Sequence, residues 1–472
     1  MIRLIVAFSA VFLVFYVSCL DWRKSVKAVF FLVVMEGALR KWVLPQASEL
    51  IYFLKDFVLL GAYFQYYFLS ALWRKAPPNR SFINVLIFLV LGWGVFQLFN
   101  TSLGSPIVGI WGMKNYLYYA PMMWMLPSLF PTEEDFYKFL RSHLLLLIPV
   151  GILGIVQYMS PVNSPINAYA PGQDVEAGIA VFGLSNRARI TSTFAYINNY
   201  VPYLFVCFGL LIALFTKKQN VFWLQMTIAE LILASINAFL TGSRTTIFAI
   251  GIFLIGYFSF KFMTQIASAI RLLKWTFAPV VFGGIALFYG FQTEVDRILD
   301  RILYSGDVAD RIYLVFAEPF FYIKYKELDA FGPGSTHQAT GILRSILGLP
   351  YGEIPPVVES EMGKIMLEIG PIGFTFWYVL RVGILLSLFF LIFKLKRPFL
   401  RELALVAFLI QLIWIPGQLV FHITFSVYYW FLSGFIFLLP YLEKVENWSQ
   451  YQQDWQNYTD EESSYLPNSP YG

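Results

Sequence analysis

About thirteen long apolar runs follow one another along this 472-residue chain, and they leave few folds open to it. They fall at about 2–20, 28–44, 50–72, 82–99, 115–131, 143–159, 197–216, 221–240, 245–260, 275–291, 369–393, 402–420 and 423–440, the second being the weakest. A run of this length spans the hydrocarbon core of a bilayer as a helix, which satisfies its own backbone groups. Hydrophobic residues make up 58% of the chain and charged residues 13%, too little charge to cover a soluble surface of this size. The sequence predicts an all-α, polytopic integral membrane protein with about 12–13 transmembrane helices and a large extracytoplasmic loop.

Threading the runs alternately sorts the basic residues. One set of connections holds Arg23, Lys24, Lys27, Arg74, Lys75, Arg80, Lys138, Arg141, Lys217, Lys218, Lys261, Arg271, Lys274, Lys394, Lys396, Arg397 and Arg401. The other set, apart from one long loop, holds only Arg40, Lys41, Lys114, Arg187, Arg189 and Arg244. Basic connections stay in the cytoplasm, so the N-terminus is expected outside and the C-terminus inside. Tyr16-Val17-Ser18-Cys19 is similar to a lipoprotein cleavage site, but Tyr16 suits it poorly and basic residues follow at once. The first run is therefore read as a retained helix.

Two expected outer segments are long. One, at about 160–196, is rich in Pro, Asn and Gly; the other, at 292–364, mixes acids and bases. The second opens with Val295, Ile298, Leu299, Ile302 and Leu303 at the spacing of an amphipathic helix. The expected organisation is a membrane domain over 1–440, including the loop at 292–364, and a polar, disordered cytoplasmic tail over 441–472.

Residues that could carry chemistry form three groups. Glu36, Lys55, Asp56, Glu230 and Arg381 are charges inside apolar runs, each costly to place in a bilayer. With Arg40 and Lys41 they read either as ion pairs that fix packing or as the lining of a polar cavity. Arg187, Arg189, Arg244 and Arg311 are expected outside, where guanidinium forks suit phosphate oxygens, although an Arg can also merely anchor a helix at the interface. Glu359, Glu361 and Glu368 flank the eleventh run, where partial burial would make a carboxylate a useful base. His337 follows the Gly-rich turn Gly332-Pro333-Gly334. The two cysteines and three histidines show no metal-ligand spacing, and no nucleotide-binding loop occurs, so no metal or cofactor is expected.

Three local patterns resemble the superfamily of bacterial O-antigen ligases and O-antigen or exopolysaccharide polymerases. Thr241-Gly242-Ser243-Arg244 resembles its T-x-S-R turn. Arg311, after Ser305-Gly306-Asp307, followed by Phe331-Gly332-Pro333-Gly334, resembles an Arg, an apolar helix and a G-x-G turn. Glu359-Ser360, nine residues, then Gly370-Pro371-Ile372-Gly373 resembles the ligase pattern, with Glu359 where the family has His. That departure points toward a polymerase-like member. The resemblance covers about 180–380.

The resemblance implies a metal-independent glycosyltransferase of the bacterial inner membrane, working on a polyprenyl-diphosphate-linked glycan at the outer face. It implies diphosphate contacts from Arg244, Arg187, Arg189, Arg311 and His337, with Glu359 or Glu361 as base. Other polysaccharide-assembly proteins are its implied partners, and nothing points to nucleic acid. The alternative is a transporter or flippase for a lipid-linked sugar, in which the intramembrane charges would line a path.

Overall fold

The computed structural model describes residues 2–70, 81–171, 178–182, 187–267, 270, 273 and 307–464. The run at 275–291, the amphipathic stretch at 295–303 and Ser305-Gly306 lie outside the described residues, as does the side chain of Arg311.

The described chain is all-α. α1 (Ile2–Leu20), α2 (Trp22–Ala38), α3 (Leu54–Tyr63) and α4 (Phe82–Gln97) are followed by α5 (Pro106–Leu117), α6 (Met122–Leu129), α7 (Glu133–Leu144) and α8 (Leu147–Met159). After the first long connection come α9 (Ile197–Leu214), α10 (Val221–Leu240) and α11 (Arg244–Thr264). α12 (Asp307–Lys326), α13 (Thr340–Leu347), α14 (Glu361–Lys394), α15 (Pro398–Ile413), α16 (Ile423–Ser433) and α17 (Phe435–Ser464) complete it. Six of the helical segments are long and apolar enough to cross a membrane, so the chain is a multi-pass integral membrane protein.

Several expected runs are broken by their own residues. The run at 115–131 divides between α5 and α6, where Pro121 cannot donate to a continuing helix. Leu39–Val43 and Phe64–Leu69 extend α2 and α3 as wide π turns. Beyond 440 the chain differs from the expected disordered tail: α17 is helical to Ser464, and Trp448 and Tyr451 stack 6.0 Å apart on it.

Helix α14 is two arms. Gly370 has φ 66° and ψ 179°, outside helical space. Glu361 and Arg381 lie twenty residues apart, about 30 Å along a continuous helix. Their side chains nevertheless approach to 3.9 Å. The arm at 361–369 therefore folds back along the arm at 371–394 as a helical hairpin. Both arms meet α4: Trp93 donates to Ile369 O of the short arm at 2.7 Å, and a Cβ on Gly383 of the longer arm would stand 2.9 Å from Leu86.

Hydrogen bonds sort the connections into two ends. At the long-loop end, Trp42 donates to Pro165 O, Lys41 to Thr191 and Asn100 to Ala330 O, while Glu353 N donates to Ser102 O. At the short-loop end, Trp22 N meets Gln65, Arg23 meets Ser128 O, Lys217 meets Glu134 and Arg397 meets Glu133. Alternate threading expects this grouping.

Candidate functional site

The site is built at the long-loop end by glycines that let backbones touch. Gly332 and Gly334 have φ of 89° and 82°, which L side chains rarely adopt. A Cβ on Gly112 of α5 would lie 2.2 Å from the carbonyl carbon of Pro333, so the 332–334 turn rests directly on α5. The turn is then tied to the short arm of α14. Phe331 N donates to Leu367 O at 2.8 Å. Thr336 donates to Glu368 Oε1 from its N–H at 3.1 Å and its hydroxyl at 2.8 Å, and Tyr116 reaches Oε2 at 2.9 Å. Glu368 is thus a buried tether, not an open base.

This docking sets His337 between two rings and two ammonium groups. Trp111 of α5 stands edge-on to the imidazole at 5.9 Å, and Phe421 lies 5.9 Å away on the other element. Lys114 lies 5.0 Å from the Trp111 ring, and Lys364 lies 5.1 Å from the Phe421 ring. The result is an array in the order Lys114, Trp111, His337, Phe421, Lys364. Ala339 N donates to His337 Nδ1 at 3.1 Å, which assigns the ring proton to Nε2 and makes that edge a donor. Burial, then the charges of Lys114 and Lys364, push the His337 pKa down to about 4. The ring is neutral at physiological pH. Among the described residues, Lys364 has no carboxylate within ion-pair distance.

The charges within apolar runs join this array through Lys114. Glu36 pairs with Arg40 at 3.1 Å and with Lys55, and Asp56 pairs with Lys114 at 2.5 Å. Tyr119 also donates to Asp56. Tyr52 sits at the centre, with Lys55 at 4.8 Å, Arg40 at 5.1 Å and Lys114 at 5.9 Å from its ring. Lys41 donates to Thr191 Oγ1 at 3.0 Å and Ser192 O at 2.6 Å. This end therefore gathers Arg40, Lys41, Lys55, Lys114 and Lys364 together with the carboxylates of Glu36, Asp56, Glu361 and Glu368.

The other expected site residues divide. Arg187 donates to Met159 O at 3.2 Å and covers Tyr158 at 5.5 Å, which closes the end of α8. Arg189 Nε donates to Thr241 O at 2.8 Å and packs on Gly242, so it holds the turn that carries Arg244 into α11. Glu361 is sealed: Oε2 accepts from the N–H groups of Leu419, Val420 and Phe421 at 2.5, 2.9 and 3.4 Å. It fixes the segment that presents Phe421. Arg381 donates to Trp414 O at 2.9 Å beside it. Glu230 pairs with Arg141 at 3.0 Å, apart from this site. Glu359 is exposed just ahead of Ser360, which caps the short arm by accepting from Gly363 N at 3.0 Å.

The sequence reading gave no binding role to Lys114 or Lys364. A signal existed for Lys364. A cation in the first turns of a helix opposes the macrodipole, and a residue placed against local preference often serves a ligand. The rings Trp111 and Phe421, on which Lys114 and Lys364 lie, had no such signal, because ring contacts depend on tertiary packing.

Elsewhere, a cavity of about 400 Å³ opens at the short-loop end beside Glu133, Arg397 and Asn447. Among its lining residues Arg397 pairs with Glu133 at 2.8 Å. No group of three His, Cys, Asp or Glu side chains converges among the described residues. No protein-family model, curated protein or solved structure matches the chain.

Proposed function

We propose that this protein is a glycosyltransferase of the bacterial inner membrane that polymerises or transfers polyprenyl-diphosphate-linked glycans at the extracytoplasmic face. The observation that carries the reading is the array from Lys114 to Lys364, which offers cations and a neutral imidazole donor to phosphate oxygens and flat rings to sugars. The glycines of the family-like patterns support it, because Gly332, Gly334 and Gly370 build the turn and the hairpin that hold the array. The basic-residue bias puts the long-loop end outside and the C-terminus in the cytoplasm, with 12–13 spans in all.

In the proposed reaction, an acceptor sugar hydroxyl attacks the anomeric carbon of the donor. A new C–O bond forms as the bond to the diphosphate oxygen breaks, and the lipid diphosphate leaves with the electron pair. Lys114, Lys364 and the Nε2–H of His337 stabilise its charge, and Arg244 is proposed to contribute a further guanidinium contact. Glu359, exposed at the mouth of the short arm, takes the hydroxyl proton.

The hairpin also favours a second reading. A helix broken within the bundle, as α14 is at Gly370, is the arrangement many transporters use at their binding sites. Purified protein in detergent, given lipid-linked donor and no gradient, separates the two. New glycosidic bonds support the enzyme. Movement of the lipid between leaflets of a vesicle, with no bond formed, overturns the enzyme in favour of the transporter.

A further inference from the structure

Helix α12, at the long-loop end, is built inside out. Its polar side chains Glu318, Tyr322 and Lys326 recur every four residues and so share one face. That face fastens the non-helical segment at 351–360. Glu318 Oε2 accepts from Ser360 N at 3.0 Å, the Tyr322 hydroxyl donates to Val357 O at 3.2 Å, and Lys326 pairs with Glu353 at 2.5 Å. What remains outward is apolar. Tyr313, Phe316 and Phe320 stand at helical spacing and are exposed, Phe320 at 73%. On the fastened segment Tyr351 is exposed too, and Ile354 and Val357 are 91% and 94% exposed. A surface that faces water has the opposite pattern, and a contiguous apolar patch of this kind marks a contact with protein or with lipid.

Depth decides between them. The longer arm of α14 belongs to a segment long and apolar enough to cross a membrane, and it exposes Val379, Val382, Leu386 and Phe390 as one stripe. Counted back from Lys394, where a basic cluster begins, the arm rises about 36 Å. The hydrocarbon core is about 30 Å thick, so the bend at Gly370 stands at the long-loop edge of the core. The chain leaving α12 comes down to that level. A Cβ on Gly370 would lie 3.0 Å from Asp329 O, and Asn100, just past α4, donates to Asp329 Oδ1 at 3.1 Å. Lys326 and Glu353 both meet the Ser102 hydroxyl beside it, at 3.1 and 3.0 Å. The apolar patch therefore begins where the bilayer-facing wall ends. We infer that α12 and the segment at 351–357 rest in the lipid leaflet at the long-loop end, with Phe316, Phe320, Ile354 and Val357 among the upper acyl chains and the Glu318 face toward the protein. Lys324 is exposed on the same helix, and its long stem lets the ammonium reach the headgroups. The seating needs only the bilayer, whatever chemistry the array performs.

Nitroxide labels at Phe320→Cys and Val357→Cys test this in the full chain, reconstituted into vesicles of phosphatidylcholine and phosphatidylglycerol. The two native cysteines are removed as Cys19→Ala and Cys207→Ala. Collisions with oxygen, against collisions with a water-soluble nickel chelate present on both sides of the vesicle, report the depth of each label. Phe390→Cys on the α14 stripe and Gln452→Cys on α17, both at exposed positions, give the lipid and water limits. Both test labels should lie about 5–10 Å below the headgroup boundary. Collisions like those of Gln452→Cys would place the face in water and overturn the inference. Protection from both reagents would assign the face to a protein contact, such as a second copy of the chain, and would overturn it as well. Carbene labelling of the unsubstituted protein, from a diazirine carried on the acyl chains, asks the same question without any cysteine change. Modification of Phe320 and Val357 is expected, and modification confined to the spanning helices would contradict the seating.

Discussion

The two ends of the bundle treat their charges differently. At the short-loop end, the buried cations Arg141 and Lys261 each face a carboxylate, Glu230 and Glu402, and Arg397 joins Glu133 to Glu446. At the long-loop end, Lys41 is met by neutral oxygens, and Lys364 lies on a phenyl ring with no carboxylate within ion-pair distance among the described residues. Lys114 has Asp56 but also lies within 6 Å of four aromatic rings. Closed pairs at one end hold helices together. At the other, Lys114 and Lys364 flank a row of two rings and an imidazole, and that arrangement is why the functional reading rests there.

Breaking a closed pair should therefore damage the fold and spare the chemistry. Glu402→Ala leaves Lys261, 4% exposed, without its carboxylate and removes the acceptor of Tyr257. The expected loss is about 3–5 kcal/mol of stability. Thermal unfolding in detergent would show it as a large fall in midpoint, while the turnover of protein still folded stays near wild type. Unchanged stability would contradict the closed character of this end.

A change at the open end should lower the turnover of the protein that still folds. Gly112→Val places a branched side chain where a Cβ already falls 2.2 Å from Pro333. The 332–337 turn must move, and His337 leaves its place between Trp111 and Phe421. Displacement of about 1 Å in such a site costs roughly 100-fold in turnover. The measurement is the rate of glycan transfer, with the unfolding midpoint as control, and normal turnover would remove the turn from the site.

What could be read from the sequence follows the same division. The apolar runs announced the helices, because desolvation of a backbone in lipid allows little else. Glu36, Lys55 and Asp56 stood out because each is costly in an apolar run, and the structure joins them around Tyr52. The hairpin was not legible. The apolar run at 369–393 reads straight through Gly370-Pro371, and only contacts far apart in sequence, such as Trp93 with Ile369, decide that the short arm folds back. The acids near the eleventh run look alike as a sequence. Packing separates them into a tether at Glu368, a clamp at Glu361 and an exposed carboxylate at Glu359.

The central claim is that the array at the long-loop end receives the anionic part of a ligand, and Lys364 tests it most directly because no carboxylate among the described residues pairs with it. Binding of a polyprenyl-diphosphate-linked glycan to the purified protein should be measured for wild type, Lys364→Gln and Lys217→Gln, the last a lysine of the paired end. Loss of one charge-assisted hydrogen bond should raise the Kd by roughly 10- to 100-fold in Lys364→Gln, with unchanged unfolding and with Lys217→Gln binding as wild type. Equal affinity in all three proteins would contradict the account.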